Sequence, residues 1–302
     1  MKLTHLLWLI LPGIPAISSA AIALDSTHSK SVQPYSLHLG LDLPLAAGIL
    51  AMNVHSGALL KNERKEPLDL QALHAGDIPG FDRWAIGFNS PTLSALSSGL
   101  AWSQFLIPVA VNAWDTYRGQ QPWYGALTDA VILEEALMLS NSLSSYAKSF
   151  PLHSTPVTYD PRVSESEKRT PQNVSSFFSN HTATAFTTAV FTGYTFQLRH
   201  PGSPLVPWIW GTGLTMATGV GALRIMAGKH FPSDVVAGAA VGALSGYFMP
   251  RMHLRIGALR KGTPTDEGGS HALPAKRTID VKLGMTFPGG GTTPTPTVNV
   301  DF

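Results

Sequence analysis

The sequence predicts an all-α fold built around six core helices. Long uncharged segments recur along the chain, and charged residues make up only 13% of its 302 residues. That share is about half the usual one in soluble globular proteins. Several segments approach the roughly 20 residues that a helix needs to cross a bilayer. Since a helix that is apolar all round is buried in protein or in lipid, we expect a membrane-inserted bundle, with a soluble periplasmic bundle as the alternative.

The N-terminal segment predicts export. Residues 1–23 contain one lysine, an apolar run and small residues that end at Ala23, which is the layout of a secretory signal. The alternative is a buried first helix, but Pro12 and Pro15 would interrupt that helix. We assign 1–23 to a signal peptide or N-terminal anchor and 24–34 to a linker. This favours the bacterial inner membrane, with the site on the periplasmic side.

Residues 35–250 form the predicted helical domain. Its six apolar or amphipathic segments lie at 43–60, 84–114, 126–147, 181–198, 205–223 and 232–249. Residues 251–302 form a tail that is first basic and then rich in Gly, Pro and Thr. Short alternating runs in this tail predict a small β-hairpin, and an irregular tail is the alternative.

Bulk composition excludes some partners and sites. The formal net charge is +2 and no basic stretch alternates with aromatic residues. The sequence therefore lacks the strongly basic patch that is typical of nucleic-acid-binding proteins. The chain has no cysteine, which excludes disulfides and thiolate metal sites. Mean hydropathy is +0.10, between that of a soluble enzyme and that of a tightly packed membrane bundle.

The stretch GKHFPSDVVAG places three reactive side chains at one helix start. Pro232 suits the first helical position, so His230 lies just before the helix and Asp234 in its first turn. The helix dipole favours an ionised carboxylate there. Asp234 can orient one imidazole nitrogen of His230 and leave the other as a nucleophile. Arg224, at the end of the preceding segment, offers a planar fork of donors to phosphate oxygens.

The stretch SFFSNHTATAF places another histidine at a second helix start. Ser179 and Asn180 are good N-cap residues, so the helix near His181 presents N–H groups to an anion. A histidine in this position can protonate a leaving oxygen. We predict that the two helix starts face each other across one phosphate.

Structural alternatives exist for each of these residues. His230 and Asp234 could be a helix-capping pair, and His181 could be a histidine at a helix interface. A zinc site of His181, His230 and Asp234 fits the ligand types, but it leaves Arg224 without a role because cations repel a metal. His153 and His200 fall in predicted loops.

The spacing Arg224-x5-His230-x3-Asp234, preceded by Ser-Asn-His at 179–181, resembles two motifs of the type 2 phosphatidic acid phosphatase superfamily. That superfamily includes bacterial acid phosphatases and vanadium haloperoxidases. Its second motif usually reads Pro-Ser-Gly-His, and its third reads Ser-Arg-x5-His-x3-Asp. The departures in this chain are Phe178, Asn180 and Leu223, which replace the proline, the glycine and the serine.

The first motif of the family, Lys-x6-Arg-Pro, matches with one difference. Lys148 takes the lysine position, but Thr155 stands where the family has arginine, before a matching Pro156. Arg162 and Arg169, in the same loop, are candidate substitutes for this arginine. Reduced activity or a different substrate are the alternatives. Lys148 could also be a lysine at the membrane edge, where long side chains reach for water.

The resemblance implies a six-helix bundle and a phosphatase that needs neither metal nor cofactor. His230, oriented by Asp234, would attack phosphorus and form a phosphohistidine, and His181 would protonate the leaving alcohol. The non-bridging oxygens would be bound by Lys148, Arg224 and the N–H groups around Ser179 and Asn180.

The apolar helices favour a lipid substrate, a phosphatidate-like phosphomonoester or an isoprenyl pyrophosphate, met at a membrane. Two other functions stay open. A haloperoxidase of this superfamily would hold vanadate as its cofactor in the phosphate site. A degenerate phosphate-binding membrane protein would explain Thr155.

Overall fold

The computed structural model describes most of the helical region and two strands of the tail, namely residues 33–63, 68–150, 153–254, 279–282 and 297–300. The predicted signal segment and most of the predicted linker lie outside the described residues. The chain divides into two compact units, Met1–Gly262 and Thr263–Phe302.

The described part of the first unit is helical, and all six predicted segments form helices. The all-α prediction is therefore confirmed for this unit. Its helices are α1 (Leu39–Glu63), α2 (Gly80–Arg83), α3 (Pro91–Ser103), α4 (Leu106–Tyr117), α5 (Trp123–Ser149), α6 (Glu165–Lys168), α7 (Asn180–Arg199), α8 (Val206–Met226) and α9 (Pro232–Met252). Short 3-10 turns lie at Ala75–Asp77, Pro156–Tyr159 and Pro171–Asn173.

The second predicted segment forms two helices instead of one. Pro108 has no N–H to donate to the carbonyl of Gln104, and the helix breaks between α3 and α4. The buried Gln104 side chain then donates to the carbonyl oxygens of Ala185 at 2.9 Å and Gly213 at 3.1 Å. These two bonds fix the break against α7 and α8.

Glycines bring α7 and α9 into backbone contact. Gly238, Gly242 and Gly246 recur every fourth residue, so they share one face of α9. A Cβ at any of them would overlap a backbone carbonyl oxygen of α7, at Ser179, Ala183 and Thr187 respectively. The order of these contacts shows that the two helices run in the same direction. Both therefore begin at the same end of the bundle, where the two predicted motifs lie.

Small and large residues divide the rest of the core. Alanines and one valine allow α3, α7 and α8 to pack closely, at Ala101, Ala185, Ala189, Ala217 and Val220. Mostly larger side chains, together with one alanine, fill the space between α1, α5, α7 and α9. They are Tyr35, Ile49, Ile132, Leu133, Ala136, Phe191 and Met249. Burial of such side chains stabilises the bundle by roughly 1.5–3 kcal/mol for each large apolar residue.

Two segments among the described residues are long and apolar enough to cross a membrane. They are Asp42–Asn62 in α1 and Pro91–Tyr117, which covers α3 and α4. Only 11% and 22% of their most apolar windows are buried against protein. Both segments therefore present apolar surface outward.

In the second unit, β1 (Ile279–Lys282) and β2 (Thr297–Val300) pair in antiparallel fashion. Ile279 lies opposite Val300, and Lys282 opposite Thr297. This is the strand pairing expected of the predicted hairpin.

Candidate active site

The first predicted helix start is a formed N-cap. Ser179 Oγ accepts hydrogen bonds from the N–H of Thr182 at 3.4 Å and from its hydroxyl at 2.9 Å. The N–H of Ser179 itself donates to the carbonyl oxygen of Asp234 at 3.0 Å. Its predicted role as a phosphate donor is therefore corrected, because this N–H already links α7 to α9. The N–H groups of Asn180 and His181 begin the helix, where no intrahelical acceptor precedes them.

The second helix start fixes the tautomer of His230. His230 Nδ1 lies 3.0 Å from the carbonyl oxygen of Ser176, which can only accept, so Nδ1 carries the proton. Nε2 then holds the lone pair. Asp234 was expected to make this contact, but its carboxylate is 3.6 Å from Nδ1. That carboxylate instead accepts from the N–H of Phe231 and the hydroxyl of Ser176, both at 2.8 Å.

Two serines of α3, which were not predicted as site residues, contact His181 and Arg224. Ser98 Oγ lies 3.2 Å from His181 Nε2, and Ser94 Oγ accepts from Arg224 Nη1 at 3.2 Å. The two serines are four residues apart, so they share one face of α3. This i, i+4 spacing in an uncharged segment was the available signal. α3 thus joins the histidine of one motif to the arginine of the other.

Burial and neighbouring cations keep both imidazoles neutral. Burial, with the charges of Arg224, His230 and Lys148, lowers the pKa of His181 to about 3. Burial, with Arg224 and Lys148, also lowers the pKa of His230 to about 4, although Asp234 acts in the opposite direction. Both histidines lie outside the two candidate membrane segments. The structure therefore brings four predicted groups, His181, His230, Arg224 and Lys148, into one electrostatic cluster.

The motif-one loop does not bring its arginines to this cluster. Thr155, at the position of the family arginine, is buried. Arg162 donates to both oxygens of Asp160 and to the carbonyl of Gly87. Arg169 donates to the carbonyl of Leu68 at 2.7 Å and to Glu165. Both guanidinium groups are engaged by these acceptors, and a role for either as the substitute for the family arginine stays a prediction.

An apolar cavity opens beside His181. Its volume is about 430 Å³, and its wall includes Ala101, Trp102, Phe105, Glu134, Leu137, Met138, Asn141, Asn180, His181 and Thr184. This volume is within the usual range for small-molecule sites. Asn180 is held in the wall by a 2.9 Å hydrogen bond to Asn141 on α5.

The donor set does not suit a metal. Among the residues that the structure describes, no three His, Asp or Glu side chains form a group able to hold a metal ion. The zinc alternative therefore lacks its ligand cluster. An excess of cationic side chains instead suits a polyanion.

Comparison with known proteins supports this assignment of the motifs. Residues 129–258 match the model of the PAP2 superfamily. The match contains Lys148, the Ser-Asn-His segment and the whole Arg-x5-His-x3-Asp motif. It confirms the resemblance that these motifs carry.

One curated relative and two solved structures are similar to parts of the chain. A lipid A 1-phosphatase of Porphyromonas gingivalis is 42% identical over 71 residues, which is 24% of this chain and 15% of the relative. The chain thus spans only that small part of the relative's length. A transmembrane PAP2 type phosphatidylglycerolphosphate phosphatase from Bacillus subtilis aligns with a TM-score of 0.41 and 19% identity, over 70% of this chain and 94% of the other. Aquifex aeolicus LpxE aligns with a TM-score of 0.41 and 23% identity, over 58% and 97%.

Proposed function

We propose that this chain, whose residues 129–258 belong to the PAP2 superfamily, is a metal-independent lipid phosphatase that works through a phosphohistidine. The observation that carries the proposal is the cluster of His181, His230, Arg224 and Lys148. Cations gathered around two neutral imidazoles, one with a fixed tautomer, suit a phosphate ester that is bound, attacked and protonated at one place. The similar lipid A 1-phosphatase from Porphyromonas gingivalis supports a lipid phosphate as the substrate class.

The first half-reaction transfers the phosphoryl group to His230. Its Nε2 lone pair attacks phosphorus, the P–N bond forms, and the bond to the ester oxygen breaks. Arg224 and Lys148 stabilise the negative charge on the non-bridging oxygens in the transition state. His181 gives its proton to the leaving oxygen. His181 gains that proton when substrate binds, because the negative phosphate raises a pKa that is low in the empty pocket.

The second half-reaction restores the enzyme. His181, now neutral, takes a proton from water, and the water oxygen attacks phosphorus. The P–N bond breaks, phosphate leaves, and the Nε2 lone pair of His230 is regenerated. Asp234 stabilises the positive charge that His230 carries while it is phosphorylated.

The cavities support a lipid leaving group. The cavity beside His181 shares Phe105 with a second apolar cavity of about 580 Å³ between α4 and α5. A leaving alcohol next to His181 can thus continue as a hydrocarbon chain along α4. Glu134 and Asn141 provide polar contacts near the headgroup.

The outer surface supports a location in a membrane. Trp114, Tyr117, Trp123 and Tyr124 cluster at the turn between α4 and α5, and Tyr117 is 82% and Trp123 is 70% exposed. Aromatic residues of this kind collect at membrane–water interfaces. The outward apolar faces of α1, α3 and α4 would contact lipid. We propose the bacterial inner membrane with the pocket on the periplasmic side, in keeping with the signal-like N-terminal sequence.

Phosphate release from a substrate panel tests the proposal. The panel contains long-chain phosphatidate, an isoprenyl pyrophosphate and water-soluble glycerol phosphate, presented to the full chain in detergent micelles. We expect His230→Ala and His181→Ala to lower kcat/KM for the preferred lipid by at least about 10³-fold, because each removes a group that acts in the transition state. His74→Ala, at an exposed histidine, is the matched control and keeps full activity. Equal release by wild type and His230→Ala would refute the mechanism, and bromide oxidation with added vanadate would favour a haloperoxidase.

A further inference from the structure

A second imidazole lies against the carboxylate of Asp234. His153 Nε2 is 3.6 Å from Asp234 Oδ1, and its Nδ1 is 2.9 Å from Ser176 Oγ. The ring packs edge-on against Phe231, with centroids 5.0 Å apart and an interplanar angle of 83°. Asp234 therefore lies between two histidines, since its other oxygen is 3.6 Å from His230 Nδ1.

Ser176 connects the two imidazoles. Its carbonyl oxygen accepts from His230 Nδ1 at 3.0 Å, and its hydroxyl donates to Asp234 Oδ2 at 2.8 Å. The N–H of Ser176 donates to the carbonyl of His153 at 3.1 Å. His153 thus holds Ser176 through both its backbone and its side chain, and Ser176 in turn holds His230.

Counting protons defines the form of His153 that satisfies these contacts. The hydroxyl of Ser176 has one proton, which goes to the carboxylate, so His153 Nδ1 must donate to the hydroxyl oxygen. Asp234 Oδ1 is fully buried and has no hydrogen-bond partner among the described residues. His153 Nε2 lies 3.6 Å from that oxygen, beyond hydrogen-bond distance. The form of His153 with a proton on Nδ1 is therefore the one that satisfies the hydrogen bond to Ser176.

We propose that His153 is a positioning residue, whose Nδ1–H closes the network of Ser176 and Asp234 that orients the nucleophile His230. This inference rests on the proposed phosphatase function. Without His153, the hydroxyl of Ser176 loses its donor, and Asp234 Oδ1 loses the imidazole beside it. The carbonyl of Ser176 is then free to shift, and the tautomer of His230 is no longer fixed.

Two substitutions separate positioning from a merely structural role. His153→Ala removes the donor to Ser176, whereas His153→Asn keeps a donor near the place of Nδ1 and can still bond Ser176. We expect His153→Ala to lower kcat about 10- to 100-fold, as loss of a partner that orients a histidine typically does. KM and inhibition by inorganic phosphate should change less than about twofold, because Arg224 and Lys148 remain to bind the anion. His153→Asn should recover most of the lost kcat, and His74→Ala serves again as the control.

A measurement independent of turnover reads the orientation directly. In the full chain labelled with [¹⁵N]histidine, wild type should show a proton on Nδ1 of both His230 and His153. His153→Ala should give a mixture of His230 tautomers. If wild type hydrolyses nothing, the phosphatase proposal fails, while these spectra still decide whether His153 orients His230.

Three results would overturn the inference. Unchanged kcat and an unchanged His230 spectrum in His153→Ala would show that the contact does nothing. A parallel loss of kcat and phosphate binding, with no recovery in His153→Asn, would show that His153 only shapes the loop. A His153 that carries its proton on Nε2 alone in wild type would contradict the proton count.

Discussion

Two buried arginines of this protein have opposite surroundings. Arg199, at the end of α7, donates to Asp115 at 2.9 Å and to Asp129 at 2.6 Å, and His200 also contacts Asp115 at 2.9 Å. This cluster ties α4, α5 and α7 together and pairs the arginine with carboxylates of the protein itself. Arg224, at the end of α8, bonds only the neutral Ser94 among the hydrogen bonds that the described residues provide.

The difference separates a structural charge from a functional one. A buried cation without a carboxylate loses its hydration and gains little in return. Arg224 carries that cost beside two imidazoles whose pKa values are held low. Such a cluster is completed by an anion from outside. In the Arg199 cluster the protein supplies the anions itself.

The largest expected effect comes from replacing each of the two arginines and measuring both stability and activity in each variant. Arg199→Met separates two buried carboxylates from the cation they share and leaves Asp115 with His200 alone, so we expect the free energy of unfolding to fall by about 3–5 kcal/mol. Arg224→Met orphans no carboxylate, so we expect unfolding to change by less than about 1 kcal/mol. It should lower kcat/KM by about 10²- to 10³-fold, as loss of one transition-state donor does. Denaturant unfolding in micelles and phosphate-release assays measure both quantities, and equal destabilisation by the two variants would contradict the comparison.

The next effect is the pH dependence of stability. The folded pKa values of about 3 for His181 and about 4 for His230 lie below the usual 6.5. The unfolded chain therefore binds more protons than the folded one between these values and 6.5. Stability from each group is fully present above pH 6.5 and is lost as pH falls through this window, with a slope of up to about 1.4 kcal/mol per pH unit.

Unfolding at pH 5 and pH 7 measures this slope. It should become shallower in His181→Asn and in His230→Asn, each of which removes one titrating group. Saturating inorganic phosphate should also reduce it, since a bound anion raises both pKa values. An unchanged slope in both variants would show that other groups cause the loss of stability at low pH.

The smallest effect is expected at Arg162. Its side chain is 70% exposed and pairs with Asp160, and its hydrogen bonds lower the pKa of that carboxyl to about 2. Water screens the charge of so exposed a guanidinium, so this pair adds little to stability. We expect Arg162→Ala to change kcat/KM by less than about twofold in the phosphate-release assay. A loss of kcat/KM comparable to that of Arg224→Met would show that Arg162 acts in the pocket.

The histidine motifs were predictable because their geometry is local. Pro232 and Ser179 mark helix starts by short-range rules. His181, His230 and Asp234 follow from them within a few residues of chain. The spacing of Arg224 from His230 spans one helix end and one short turn, so that contact too could be read from the order of residues.

The partners of these residues were not predictable, because they come from distant parts of the chain. Ser98 meets His181 across 83 positions, and Ser94 meets Arg224 across 130. His153 belonged to a loop by sequence, and its position against Asp234 depends on how that loop pairs with residues 173–176. The charge of Arg162 and Arg169 suggested the site, but charge alone did not reveal the acceptors that engage them in the fold.

By itself the sequence determined where the helices lie and which residues could handle a phosphate, because helix periodicity, capping and charge act over a few residues. The tertiary structure decided which charges are satisfied and which are not. The glycine face of α9 brings its backbone against α7, and that contact brings the two helix starts that carry the histidines to the same end of the bundle. Whether a buried cation stays unpaired depends on which helices surround it, and packing alone determines those neighbours.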